Sequence, residues 1–296
     1  MSQSTGTNTN LVNALGLVTR LLRTRGRNRA DLCYEFMGTE NCPSTDCTYL
    51  NLGYWRDSTD YRSAAEAMVD LLADAADIVE GDVVVDAGCG FGDQDLRIAQ
   101  TRNPARIHAI NVTELQLAYA REHNADPRIE YLNCSANDLP FADGSVDKVM
   151  SLEAAFHFDT REDFLREAFR VLRPGGRVAL IDLVQVERNG KVNTGGLRGS
   201  IERWGHQVPT ANVYGATRYQ EIIRSTGFTG CDLRSINADV VPGFCEYVRA
   251  MLADPQTAAR LHPMVRKAYQ RMRSPLGTTF DLSDYILVSA EKRASA

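Results

Sequence analysis

The sequence predicts an α/β protein whose central parallel sheet is wound by helices on both faces. Three observations predict it. A continuously apolar, β-branched run at 83–85 leads into a glycine-rich turn, Asp86-Ala87-Gly88-Cys89-Gly90-Phe91-Gly92, as a strand buried on both faces would. From Asp82 to Val184, strand-length apolar runs alternate with helical patterns, the grammar of βα units. Finally, 296 residues at 44% hydrophobic and 24% charged can bury one sizeable core with an inserted or appended subdomain.

Taken in order, the first ten residues are rich in Ser, Thr, Asn and Gly and read as disordered. Helical patterns follow at 11–22 and 29–37. A loop over 38–55 ends in an aromatic cluster, Tyr49-Leu50-Asn51-Leu52-Gly53-Tyr54-Trp55. Residues 63–78 are Ala-rich and amphipathic, hence a helix. Strands are expected at 83–85, 106–110, 129–132, 146–151 and 177–184, the last entered through the turn Pro174-Gly175-Gly176. Helices are expected between them at 94–100, 114–123 and 161–172. Beyond Val184 the alternation breaks. Residues 185–215, with Asn189-Gly190, Gly195-Gly196 and Pro209, read as a loop or lid insertion. A helix at 218–226 should end on Gly227 as a C-cap. A strand at 231–236, helices at 244–252 and 256–273, and a last strand at 285–290 complete the chain. We divide it into an N-terminal arm with lid helices (1–62) and a main domain (63–296) carrying the insertion at about 185–215 and a helical segment at about 242–275.

Charge and cysteines narrow the partners. A net charge of −5 disfavours nucleic acid, whose phosphates call for a basic face. Five arginines between Arg20 and Arg29, with no acid before Asp31, form the one basic patch. Such a start resembles an organelle transit peptide; otherwise it is a mobile arm leading to a helix that packs on the body or on another copy, which leaves a homo-oligomer open. The apolar run 11–18 is too short to span a membrane. The seven cysteines are scattered, and only Cys42 and Cys47 are close, which fits reduced thiols better than a disulfide framework or a zinc site. A cytoplasmic protein is expected, acting on a small molecule without metal, membrane or nucleic acid.

In a doubly wound sheet, ligands sit outside the carboxyl ends of the strands where strand order reverses. Glycines after the first strand let the backbone approach such a ligand closely. A dinucleotide site also uses them, but the spacing here is G-x-G-x-G and not G-x-G-x-x-G. Asp86 directly before the turn would repel a pyrophosphate. It suits a cationic ligand without phosphate.

Together, residues 85–92, Asn111, Ser135-Ala136-Asn137-Asp138-Leu139-Pro140-Phe141 and Leu172-Arg173-Pro174-Gly175-Gly176 resemble the class I S-adenosylmethionine-dependent methyltransferases over roughly residues 45–235. The resemblance implies a Rossmann-like seven-stranded sheet of order 3-2-1-4-5-7-6 with the last strand antiparallel, N-terminal helices and a helical lid. It also implies S-adenosyl-L-methionine as cofactor, whose ammonium and sulfonium agree with the acid at Asp86. Carried over by position, Ala87, Gly88 and Gly90 contact the methionine part, and Asn111 faces the ribose hydroxyls with help from Gln116. Ser135, Ala136 and Asn137 border the adenine. Most members carry an acid where Asn111 stands, so weaker cofactor binding is expected. Tyr49, Tyr54 and Trp55 either wall the cofactor or plug the space beneath the N-terminal helices.

The aromatic cluster, the Asp93-Gln94 pair and the run Ser151-Leu152-Glu153-Ala154-Ala155-Phe156-His157 resemble more closely the branch that methylates hydroxyls and sugars of polyketide and macrolide natural products, the erythromycin 3''-O-methyltransferase type. Gln94 and Glu153 are then cofactor-site residues as well. An alcohol is a weak nucleophile at neutral pH and needs a positioned base. His157, after the fourth strand and titrating near working pH, is the first candidate. Asp182 would orient its imidazole or bind substrate, or else be a carboxylate satisfied by backbone. His206 beside Trp204 in the insertion is the second candidate base. Phe244, Tyr247, Met251 and Met264 share a helical stripe that lines an acceptor pocket or packs a core. The rivals are carbon methylation of a prenyl or aromatic acceptor, in which Glu153 would matter more than His157, small-amine N-methylation, and a non-catalytic cofactor-binding subunit.

Overall fold

The computed structural model describes residues 38–196, 199–200, 207–273 and 279–294. The helical patterns at 11–22 and 29–37, the basic arm, Trp204 and His206 lie outside them. Nine strands are described: β1 (Val83–Ala87), β2 (Arg106–Asn111), β3 (Ile129–Asn133), β4 (Val146–Leu152), β5 (Leu172–Gln185), β6 (Glu187–Arg188), β7 (Lys191–Val192), β8 (Thr229–Ser235) and β9 (Ser283–Glu291). Seven form one sheet of order β3-β2-β1-β4-β5-β9-β8, and β6 pairs only with β7. Counting the seven alone, the order is 3-2-1-4-5-7-6, as the resemblance implied. The first five run parallel, and β9 is antiparallel to both β5 and β8.

The pleat sorts side chains onto two faces. Val84, Met150, Ala179, Ile181 and Leu287 point to one core, shared with helix α1 (Tyr61–Ala75), helix α2 (Asp93–Arg102) and, further along the chain, α6 (Asn237–Ala253). Val85, Val149, Val178, Leu180 and Val288 point to the other, shared with α4 (Arg161–Val171) and α5 (Ala216–Thr226). Helix α3 (Glu114–His123) follows β2 at the expected residues. This two-sided burial is why the strand runs read as continuously apolar.

Several boundaries differ from expectation for local reasons. Helix α1 begins at Tyr61 because Asp60 caps it: its side chain accepts the Ser63 N–H at 2.9 Å, and Ser63 Oγ returns a bond to the Asp60 carbonyl. Pro174-Gly175-Gly176 does not precede β5 but bulges within it, between the pairs Val146–Leu172 and Lys148–Arg177. Asn189 and Gly190, both at positive φ, close a short hairpin in the insertion. Helix α6 starts well before 244 and runs through Pro242. The expected helix at 256–273 is two, α7 (Pro255–Arg260) and α8 (Pro263–Arg271), because Pro263 starts a new helix capped by His262. Helix α5 ends as expected on Gly227 at φ 110°. No helix among the described residues is long and apolar enough to cross a membrane.

Candidate active site

Strand order reverses between β1 and β4, and a cavity of about 730 Å³ opens at their carboxyl ends. Its two halves have different origins. One is built by the glycine turn, the ends of β2 and β3, and the segment 48–52. The other is built by residues 153–158, the end of β5, the foot of the insertion and residues 272–285.

The first half explains the glycines. Gly88 sits at φ 93°, and a Cβ there would stand 2.3 Å from the Ala154 Cβ. Its N–H and that of Cys89 donate to the Ile110 carbonyl, tying the turn to the end of β2. Gly92, at φ 86°, leads into α2, where Asp93 accepts the Thr48 backbone N–H and hydroxyl and so fastens the segment 48–52 over the turn. Tyr49 lines the cavity, and its hydroxyl reaches the Asp93 carbonyl at 3.4 Å. At the other end, Asn111 Nδ2 donates to Gln116 Oε1 at 2.8 Å and to the Gly90 carbonyl at 3.4 Å. Gln116 is 2% exposed, and its own Nε2 has no hydrogen-bond partner among the described residues. Ser135, Ala136 and Asn137 complete this wall, held by Asn137 N to Ser135 Oγ and Asn137 Nδ2 to the Thr160 carbonyl.

Gln94 also lines the cavity, and its Nε2 donates to Asp86 Oδ2 at 2.5 Å. Asp86 itself lies beneath the wall, fully buried and facing Asp95. Burial pushes the Asp86 carboxyl up to about 6, and burial together with the charge of Asp86 raises that of Asp95 further. The expectation that Asp86 meets the ligand directly is therefore corrected: it lies off the cavity wall and touches the wall through Gln94. Ala87 is likewise off the wall; its carbonyl accepts the Ser151 hydroxyl.

Between the halves stands Glu153, a non-glycine residue at φ 52°. Positive φ in such a residue is held only where the surroundings enforce it. Here its backbone N–H donates to the Ile181 carbonyl at 2.8 Å, and its carboxylate accepts the Leu52 N–H at 2.9 Å and the Tyr285 hydroxyl. Burial pushes its carboxyl up to about 7. His157 follows in a 3-10 turn (Ala155–His157), its N–H on the Ala154 carbonyl and its ring 4.0 Å from that of Phe156.

Asp182 does not join them. It is fully buried off the cavity, where Oδ2 accepts Arg161 Nε at 2.6 Å and the Tyr219 hydroxyl at 3.1 Å, and Oδ1 accepts the Leu183 N–H. Burial opposes the Arg161 charge, but Asp182 together with Tyr214 and Tyr219 more than offsets it, holding the guanidinium above its usual range. Nor do Tyr54 and Trp55 reach the cavity. Tyr54 donates to Asp239, and Trp55 packs on Gly243, where a Cβ would fall 2.2 Å from its ring. The stripe Phe244, Tyr247, Met251 and Met264 also stays away: Phe244 and Met251 are core, Tyr247 stacks on Tyr61, and Met264 is exposed.

The sequence reading missed much of the second half: Gln185, Gln207, Asn212, Met272, Phe280 and Tyr285. Gln185, Gln207 and Asn212 fall in the segment read as a lid insertion, but none of the six was named as lining a site. Arg161, the bulkiest fully buried side chain, was also missed. Among the described residues no group of three or more His, Cys, Asp or Glu could hold a metal ion.

A cradle of close-approach glycines with amides at one end, an acid-backed glutamine at the other and, among the described residues, no Lys or Arg on its wall fits S-adenosylmethionine, which has an ammonium and a sulfonium but no phosphate. Comparison with known proteins agrees. The family described as "Methyltransferase domain" matches residues 85–180. Erythromycin 3''-O-methyltransferase of Saccharopolyspora erythraea is 31% identical over 91% of this chain and 92% of its own. The 27-O-demethylrifamycin SV methyltransferase of Amycolatopsis mediterranei is 35% identical over 52% of this chain and 56% of its own. Among solved structures, the [4+2]-cyclase SpnF aligns over 97% of both chains with a TM-score of 0.67 at 24% identity. A geranyl diphosphate methyltransferase in complex with the cofactor covers 78% of this chain and 86% of its own, with a TM-score of 0.60 at 19% identity. These two likenesses bear on the fold. The cofactor is S-adenosylmethionine, and the chain belongs to the class I S-adenosylmethionine-dependent methyltransferases.

Proposed function

We propose that the chain methylates a hydroxyl of a small secondary metabolite, a polyketide or its sugar, with His157 as the base. The observation that carries this is the position of His157 on the wall of one continuous cavity, where the cofactor half gives way to a half walled by Phe156, Leu183, Val208, Met272, Phe280 and Leu282. An apolar wall of that extent suits a large, weakly polar acceptor, and Gln185 and Gln207 supply the few polar contacts that would orient it. The relatives support the same reading, since the names of both specify methylation at an oxygen of a natural product.

In this reading Gly88, Gly90 and Gln94 hold the methionine part, Asn111 and Gln116 the ribose, and Ser135, Ala136 and Asn137 the adenine, with Tyr49 and Glu153 closing the methionine end. When bound, the cofactor supplies an electrophilic methyl group on a sulfonium. His157 accepts the proton of the acceptor hydroxyl as its oxygen attacks, which a neutral imidazole does well near pH 7. The walls of the second half exclude water. Asp182 has no part in the proton transfer, because both its oxygens are taken up by Arg161, Tyr219 and the backbone.

The test is His157→Ala. Turnover should fall by about 100-fold or more, the usual worth of a positioned base, with the calorimetric Kd for S-adenosylmethionine changed by less than about two-fold. Turnover equal to wild type across pH 6 to 9 would remove His157 from the role.

A further inference from the structure

The turn that carries His157 is gripped on both sides by one amide. Asn212, 2% exposed, ends the 3-10 turn Thr210–Asn212 at the foot of the insertion. Its Nδ2 donates to the Phe158 carbonyl at 2.7 Å and lies 3.3 Å from that of Phe156, the two neighbours of His157. Its Oδ1 accepts the Arg161 backbone N–H at 2.9 Å, and its main-chain carbonyl accepts Arg161 Nη1 at 2.6 Å. Arg161 is in turn fixed to the sheet by Nε on Asp182 and by Nη2 on the Leu183 carbonyl at 2.5 Å. The amide has one orientation only. Flipped, it would set its oxygen against two carbonyls and its nitrogen against an N–H donor.

The turn has other anchors beside this grip: Ala155 is buried in the core, and the Phe158 ring meets that of Phe164 at 4.9 Å. Its own bonds are His157 N–H to the Ala154 carbonyl and Phe158 N–H to the Ala155 carbonyl, at 2.9 and 3.2 Å. Arg161 and Asp182 are a buried ion pair at 1% and 0% side-chain exposure, an arrangement that fixes geometry more than it adds net stability.

We propose that Asn212, locked by Arg161 and Asp182, is a positioning residue for methyl transfer: it sets the place of His157 and joins it to the foot of the insertion. The proposal rests on the reading of His157 as base. It restores to Asp182 an indirect part, three contacts removed from the turn that carries His157. A base displaced by about 1 Å can cost roughly 100-fold in rate with binding unaltered, so the effect belongs in kcat.

The experiment is a double-mutant cycle with His157→Ala and Asn212→Asp in the full chain. Asn212→Asp keeps the acceptor for the Arg161 N–H and replaces the donor to both carbonyls by an oxygen. Turnover is read as tritium passed from the labelled methyl donor to a macrolide with a free 3''-hydroxyl. Amide exchange over 155–158 is read in parallel with S-adenosylhomocysteine bound, which needs no acceptor. We expect Asn212→Asp to lower kcat about 10- to 100-fold, to leave KM for the methyl donor within about two-fold, and to speed exchange at 157 and 158. The double variant should be no slower than His157→Ala. Losses that multiply, or unchanged exchange, overturn the proposal. Full turnover in His157→Ala overturns the base reading and the proposal with it, and is recognisable because it shows in the single variant. Asn212→Ala, which removes the donor without adding charge, answers the same question if the aspartate variant does not fold.

Discussion

The two halves of the cavity differ in how the chain reaches them. The cofactor half comes mostly from strand ends and turns between residues 88 and 137, each βα unit delivering its own piece to the carboxyl edge of the sheet. The acceptor half is assembled from residues 153–158, the end of β5, the foot of the insertion and residues 272–285. Local grammar therefore specifies one half, and long-range packing specifies the other. A cofactor site can stay fixed on such a frame while its acceptor site is rebuilt by altering segments the frame does not need.

The largest effect that would break this comparison lies at Gly88. Gly88→Val should raise the Kd for S-adenosylmethionine at least about 100-fold, because the φ of 93° and the Ala154 Cβ at 2.3 Å leave a side chain no room. Calorimetry alongside circular dichroism checks it; near wild-type affinity in a folded variant would mean the turn is not the cradle.

A smaller effect sharpens the cofactor half from below. The Asp86–Asp95 pair is buried without a cation, and the Asp86 carboxyl is pushed up to about 6. A raised carboxyl binds its proton more tightly in the folded chain than in the unfolded one. Its contribution is thus fully present below about pH 4 and lost as pH rises through about 6. Asp95→Asn removes the buried carboxyl that is raised most strongly, so it should flatten this decline and raise Tm at pH 7 by a few degrees, with less gain at pH 5. Superimposable Tm–pH curves for variant and wild type would deny the coupling. The contrast with Asp182 is direct: there an equally buried carboxylate meets the Arg161 guanidinium.

The smallest effect concerns Asn111. Asn111→Asp should tighten cofactor binding about five-fold, the worth of a charged acceptor facing ribose hydroxyls. Gln116, whose Nε2 has no hydrogen-bond partner among the described residues, can turn to donate to it. Weaker binding would show that the present amide pair is itself the better ribose site.

These contrasts explain how much was legible in the sequence. The alternation of strands and helices and the glycine turn were readable because strand period and turn chemistry are local, whereas the sheet order came from the family resemblance and not from periodicity. Asp182 was misread because its partner comes from the start of α4, twenty-one residues earlier, and nothing in the spacing marks Arg161 as turning inward. Asp86 was misread because the sequence shows an acid beside the turn but not that Asp95, one turn into α2, folds back over it. Tyr285 and Phe280 reach the cavity only because β9 inserts between β5 and β8. No pattern near His157 announces that.

The most direct measurement is the fate of the methyl group. The chain should be incubated with tritiated methyl donor and a panel of a 3''-hydroxyl macrolide, a prenyl diphosphate and a small amine, and the labelled product characterised by mass spectrometry and NMR. The account predicts a methyl ether on the hydroxyl-bearing acceptor. A methyl group on carbon or nitrogen, or cofactor bound with no transfer to any of them, would contradict it.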